Sequence, residues 1–207
     1  MSLAHDERLA LVVTMSEFGP DAPTLCGEWT VRDLAAHLVL RERRPDASAG
    51  IMISALSWYT ERVQASIARG SFEGMLEQIR TGPPRWSPMR PFDEQLNLAE
   101  MFVHHEDVRR GGPEWEPRTL DLAWQGPLWA LARRMGGRAY RKAPCTVVLE
   151  RPDGKRATVR TAGDETVVLV GDPAELALHA FGRDAVRLEA QGPDQAVTSV
   201  MSLDRGI

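Results

Sequence analysis

Cysteine is scarce in this chain of 207 residues, which holds only Cys26 and Cys145. Two cysteines so far apart build neither a disulfide framework nor a CxxC metal knuckle. No run of about eighteen apolar residues exists, so a membrane-spanning helix is not expected. Cationic charge is not in excess either: 25 Lys+Arg against 29 Asp+Glu leave a formal net charge of -4. Nucleic-acid binding needs a concentrated cationic surface, and that class is set aside. The segment MSLAHDERLALVV carries Asp6, Glu7 and Arg8 ahead of its apolar run and lacks a cleavage pattern. The expectation is a cytoplasmic protein without a nucleic-acid or membrane partner, acting on a small molecule, with a homodimer left open. Internal repeats and low-complexity tracts are also missing. What is present, 43% hydrophobic and 26% charged residues, is enough to bury a sizeable core.

Two textures meet near residue 142. Before it, apolar residues recur at helical spacing; after it, they fall into short β-type runs. The spacing predicts a first helix over about Ala4–Phe18, with Leu9, Val12, Val13 and Ser16 on its apolar face and a Gly19-Pro20 stop. Thr30 followed by Asp33 has the spacing of a capping box for a second helix. That helix carries Val31, Leu34, Ala35 and Leu38, and Pro45 ends it. A third helix is expected over about Ala49–Arg69, with Ile53, Leu56, Thr60, Val63 and Ile67 as its stripe, then a short one after Ser71. The proline-rich TGPPRWSPMRP segment reads as a loop. Further helices are expected over about Phe92–Arg110 and Thr119–Gly136, the latter kinked or broken at Gly126-Pro127.

Thr146–Glu150, Arg156–Arg160 and Thr166–Val170 read as strands, with a hairpin turn at Pro152-Asp153-Gly154. A short helix follows Asp172-Pro173, and a last strand is expected over Ala185–Ala190. The expected fold is mainly α: an antiparallel four-helix bundle over 1–142 with a small α+β C-terminal domain over 143–207.

Helical geometry sorts the five histidines. His37 stands with Leu34, Leu38 and Arg41 on the edge of an apolar face. Glu100 and His104 are one turn apart on a face shared with Leu96, Val103 and Asp107. A carboxylate on an apolar stripe needs a cation or donors to compensate it. A histidine from a neighbouring bundle helix could complete a two-histidine, one-carboxylate donor set. Such a set suits zinc with an open coordination position, and iron(II) or nickel as well. Asp33, His105 and Asp107 are candidates to orient the ligands. The same spacing also fits a surface salt bridge beside a hydrogen-bonded packing histidine, and spacing alone leaves both readings standing. Cys26 near Trp29 reads as a reactive thiol or a small packing residue. Trp58, Trp86, Trp124 and Trp129 read as core or as pocket lining, and His179 as a domain-interface residue.

The segments CGEWTVRDLAAHLVLRERRPD (Cys26–Asp46) and NLAEMFVHHEDVRR (Asn97–Arg110) resemble actinobacterial members of the DinB-like, mycothiol-dependent maleylpyruvate isomerase superfamily. GDPAELALHAFGR (Gly171–Arg183) is similar to the sterol-carrier-protein-like domain fused to such bundles. The resemblance implies a divalent metal, Zn2+ first and Ni2+ or Fe2+ as alternatives, held by His37, Glu100 and His104. It also implies mycothiol as a thiol cosubstrate, and isomerase or transferase chemistry on a small electrophile. Arg41 and Arg183 are the catalytic candidates it suggests, because guanidinium groups bind carboxylates in pairs of hydrogen bonds. The HHEDVRR form resembles a branch described only as metal-binding, so a non-catalytic metal-binding or stress-response module is the alternative.

Overall fold

The computed structural model describes residues 2–48, 53, 56–84 and 93–205, and it divides into two compact units, Met1–Trp115 and Glu116–Ile207. The division falls earlier than the change of texture near residue 142. The helix over Leu122–Ala139 belongs with the β-rich part because it packs against the short helix Pro173–Ala180 and one strand. The fold is mainly α, with one small sheet. Among the described residues, no helix is long and apolar enough to cross a membrane.

In the first unit the helices are α1 (Leu3–Phe18), α2 (Val31–Arg43), α3 (Pro45–Ser48), α4 (Ser57–Ala68), α5 (Phe72–Thr81) and α6 (Asp93–Arg109). Helix α1 packs along α5 and α6, while α2 packs on α4 and α5. The capping box at the start of α2 forms as its spacing predicts. The Thr30 side chain accepts from Asp33 N–H, and Asp33 Oδ2 accepts from Thr30 N–H. Ser71 caps α5 from one side only, accepting from Gly74 N–H at 3.1 Å.

Two helix readings are corrected. The buried face of α1 is Ala4, Glu7, Arg8, Leu11 and Met15, whereas Val13 on the expected stripe is 56% exposed. Glu7 and Arg8 go inward because they find partners there. His105 Nδ1 lies 2.8 Å from Glu7, and Arg8 donates to Glu42 at 2.6 Å and to the Ile79 carbonyl at 2.9 Å. A charge so satisfied occupies a core position that a hydropathy count assigns to solvent. The second correction concerns the third expected helix. Pro45 opens α3 instead of only closing α2, and α4 begins at Ser57 with Leu56 as its cap, so Ile53 and Leu56 form no buried stripe. The remainder of the expected start, 49–52, 54 and 55, lies outside the described residues, as does most of the proline-rich loop with Trp86.

In the second unit, α7 (Leu122–Ala139) is followed by β1 (Thr146–Glu150), β2 (Arg156–Arg160), β3 (Thr166–Val170), α8 (Pro173–Ala180), β4 (Glu189–Gln191) and α9 (Asp194–Met201). The sheet order is β2-β1-β3-β4, with β1 and β3 parallel and the outer pairs antiparallel. Val147 and Leu149 sit in register with Val167 and Leu169, and all four are buried. The β1–β2 hairpin turns where expected, with Gly154 at φ +81°, a backbone region that glycine enters without a Cβ clash.

Helix α7 runs unbroken through Pro127, so of the expected kink or break the break does not occur. Proline removes one backbone donor, and the buried Leu128, Trp129, Leu131 and Ala132 that follow supply the packing that holds the helix together. Near its end, a Cβ on Gly136 would come within 2.9 Å of Val159 Cγ1, so glycine sets how closely α7 approaches β2. The last strand is shorter than expected, and α9 has no counterpart in the sequence reading.

Candidate metal centre

The loop between α1 and α2 is held in place before it reaches the site. Pro23 and Thr30 form a β-bridge, Thr24 Oγ1 donates to the Trp29 carbonyl at 2.7 Å, and Cys26 N–H donates to Thr24 Oγ1 at 3.1 Å. Leu25 N–H donates to the Asp107 carbonyl at 3.0 Å, which docks the loop onto α6. Gly111, just past α6, makes this approach feasible: a Cβ there would clash with the Pro23 carbonyl oxygen. The loop thereby carries Cys26 and Trp29 to the α2–α6 seam.

At that seam His37, Glu100 and His104 converge. His37 Nε2 lies 3.6 Å and His104 Nε2 3.3 Å from the same oxygen, Glu100 Oε1. The two imidazoles meet edge to face with centroids 5.5 Å apart, and the half-buried Trp29 ring lies 5.2 Å from His37. One donor atom from each of the three residues falls within 4.8 Å of the others. Ligand–ligand separations in a tetrahedral zinc site are about 3.3 Å for bonds of about 2.0 Å, close to the two nitrogen–oxygen distances here. The Glu100 side chain stays 23% exposed, which leaves one side of the cluster open to solvent.

The surroundings set the charge of these groups. Burial opposes ionisation of Glu100, but hydrogen bonds from His104 and His37, with the charges of His104 and Arg41, outweigh it and hold the carboxyl well below its ordinary range. For His104, burial favours the neutral ring. Its contacts with Asp107, Cys26 and Glu100 outweigh that and push it well above the ordinary histidine value. In the metal-free chain the pair is therefore ionic, and a cation taken up at Nε2 must displace the His104 proton.

The candidates to orient the ligands divide. Asp107, fully buried, lies 2.9 Å from His104 Nδ1 and fixes that ring, leaving Nε2 toward Glu100. Asp33 is not at the site, being the capping partner of Thr30. His105 is not there either. It is buried on another face of α6, turned toward α1, with Nδ1 2.8 Å from Glu7 and Nε2 2.8 Å from Thr14 Oγ1.

Arg41 stands at the cluster, its Nε 3.3 Å from Glu100 Oε1 and its Nη1 donating to Asn97 at 2.9 Å. Arg183 lies in the second unit, on the turn after α8, where it donates to the Phe181 carbonyl at 2.7 Å. Cys26 is more involved than its sequence context suggests. Its thiol donates to Asp107 Oδ2 at 3.1 Å, and its Sγ lies 3.9 Å from His104 Nδ1. Cys26, His104 and Asp107 thus make a second, overlapping donor group. The CGEW turn beside a helix start was the available signal, but only the docking of the loop on α6 turns it into a contact.

Trp58 is 62% exposed, whereas Trp124 and Trp129 are buried in the second unit. There His179 is wholly buried, its Nδ1 2.6 Å from the Tyr140 hydroxyl. Comparison with protein-family models, with curated proteins and with solved structures finds no match for this chain.

Proposed function

We propose that this chain is a metal-dependent enzyme of thiol chemistry, a DinB-like bundle that transfers or isomerises a small electrophilic substrate with mycothiol as cosubstrate. One observation carries the metal assignment: two imidazole Nε2 atoms from different helices are aimed at a single carboxylate oxygen. His37, Glu100 and His104 would hold a divalent ion, Zn2+ first, with Ni2+ or Fe2+ compatible with the same donors. When bound, the ion would supply Lewis acidity and favour the thiolate form of a ligand at its open position. The sequence resemblance, rather than the geometry, supports mycothiol as the source of that thiol.

The chain's own groups have definite tasks in this reading. Asp107 holds the His104 ring so that Nε2 faces the site. Arg41, bound to Asn97, balances the Glu100 charge and stands where it can also meet a substrate carboxylate. The open side at Glu100 is where solvent or a sulfur ligand would enter. Carboxylate recognition by Arg183 remains part of the proposal on the resemblance alone.

Elemental analysis of the purified protein tests the assignment. The expected result is stoichiometric divalent metal in the native chain and its loss in His37→Ala, with the fold retained by circular dichroism. Unchanged metal in His37→Ala removes the centre. Incubation of the metal-loaded protein with mycothiol and a panel of electrophiles tests the activity. Metal-binding without metal-dependent turnover selects the non-catalytic module instead.

A further inference from the structure

The second unit holds a groove that plays no part in the proposed metal chemistry. It lies between α7 and β2, with a volume of about 650 Å³. That falls within the range of about 300–1,000 Å³ typical of small-molecule sites. One wall is a single face of α7, where Trp129 and Arg133 stand one turn apart and Arg134 follows. The other wall is β2, an edge strand of the sheet, with Lys155 at its entry and Val159 toward its end.

The charges along this groove are unequal in a telling way. Arg156 is taken by Glu150 at 2.7 Å, and nearby Arg151 by Asp153 at 2.9 Å. Arg133, Arg134 and Lys155 are exposed, and none forms an ion pair or side-chain hydrogen bond with any described residue. No described lining residue is acidic. Three uncompensated cations therefore flank a cleft whose remaining walls are largely apolar. Trp129 also contributes to the groove wall, though its side chain is only 3% exposed and its indole N–H is buried without an acceptor.

We propose that this groove binds a small organic anion, one carrying phosphate or carboxylate groups on a flat apolar body. Arg133 and Arg134 offer planar guanidinium forks that match both kinds of anion, and Lys155 offers a point charge from the opposite wall. Ala130, Ala157 and Val159 supply the apolar surface against which the body lies, backed by Trp129. The groove is too large for an inorganic ion alone to fill.

Isothermal titration of the full chain with 1-naphthyl phosphate and, separately, benzene-1,3,5-tricarboxylate tests the site and distinguishes the two anion classes. The expected result is saturable binding of at least one probe. Arg133→Ala/Arg134→Ala should weaken it at least about tenfold, and Lys155→Ala about fivefold, in line with charge-assisted hydrogen bonds. Arg62→Ala, an exposed charge on α4 in the other unit, should leave it unchanged. All three positions tested are exposed, and Lys155→Ala on the hairpin turn keeps the test decisive should the double variant misfold. Failure of both probes to bind, or equal binding to all variants, overturns the proposal. So does binding of an oligoglutamate peptide when neither small anion binds, which would make β2 a strand-docking edge.

Discussion

The two units bury histidine in opposite ways. In the first, His104 and His105 face carboxylates, Asp107 and Glu100 for one and Glu7 for the other. In the second, His179 faces the Tyr140 hydroxyl, with the Arg205 guanidinium donating to the His179 backbone carbonyl at 3.0 Å. His104 is pushed up, its carboxylates and Cys26 overcoming burial. His179 is pushed down to about 4, by burial first and then by the Arg205 charge. Burial alone thus does not decide whether a histidine carries charge; the partner does. The first unit tolerates ionic groups in its interior because they are paired there. The second keeps its sheet core of Val147, Leu149, Val167 and Leu169 apolar and its one buried imidazole neutral.

The largest expected effect comes from His105, the residue beside the proposed ligand. His105→Ala takes a partner from the buried Glu7 carboxylate and from Thr14 Oγ1 together. Breaking a buried charged hydrogen bond and opening a cavity should cost about 3 kcal/mol in chemical denaturation. Metal content measured below the transition should stay intact. The comparison between adjacent histidines breaks if His105→Ala empties the protein of metal while leaving its stability unchanged.

The same contrast explains what could be read from the sequence. Helix α2, the three long strands and the hairpin turn were legible because one face is apolar and the turn residues are specific. Helix α1 was turned to the wrong face because Glu7 and Arg8 count as solvent residues until their partners on α2 and α6 are known. Helix α6 hides its orientation further. Met101, Phe102, His105, Glu106, Asp107 and Val108 are all buried, and Arg110 pairs with Glu106 at 2.6 Å just beyond its end, so no single stripe exists to read. Glu100 and His104 could be named as a candidate pair because they lie one turn apart, and His37 joined them as a candidate through the resemblance. The limits of that donor set could not be read: excluding Asp33 and His105 and including Cys26 depended on tertiary contacts with no local signature. The α7 groove was equally hidden, because it needs β2 beside the helix.

A smaller effect, of opposite sign to a salt-bridged histidine, is expected from His179. The Tyr140 hydroxyl and His179 Nδ1 share one hydrogen bond at 2.6 Å, and Nε2 is buried without a partner, so neither ring nitrogen has a carboxylate to favour a second proton. An unfolded histidine titrates near 6.5, whereas the folded one resists protonation down to about 4. Between those values the unfolded chain binds the extra proton, so stability falls as pH drops through the window. The loss attributable to this group should be about 2.5 kcal/mol at pH 4.5. Denaturation of the native chain and of His179→Asn at pH 7 and pH 4.5 checks this. The variant should start less stable but lose less on acidification. Equal losses would mean that His179 is not held neutral by its surroundings.

The smallest stability effect, and the finest cut through the first unit, belongs to Cys26. Its thiol gives Asp107 one hydrogen bond at 3.1 Å and is partly exposed, so Cys26→Ala should cost no more than about 1 kcal/mol. Its value lies in the two overlapping donor groups that share His104. Through Nε2 that ring joins His37 and Glu100, and through Nδ1 it joins Cys26 and Asp107. A metal held on the Nε2 side should survive Cys26→Ala and be lost in His37→Ala. A metal held on the Nδ1 side would reverse both results, and His104→Ala would abolish binding in either case. Metal content across these three variants therefore decides which nitrogen of His104 faces the ion. It also decides whether Asp107 is a support for the ring or a ligand itself.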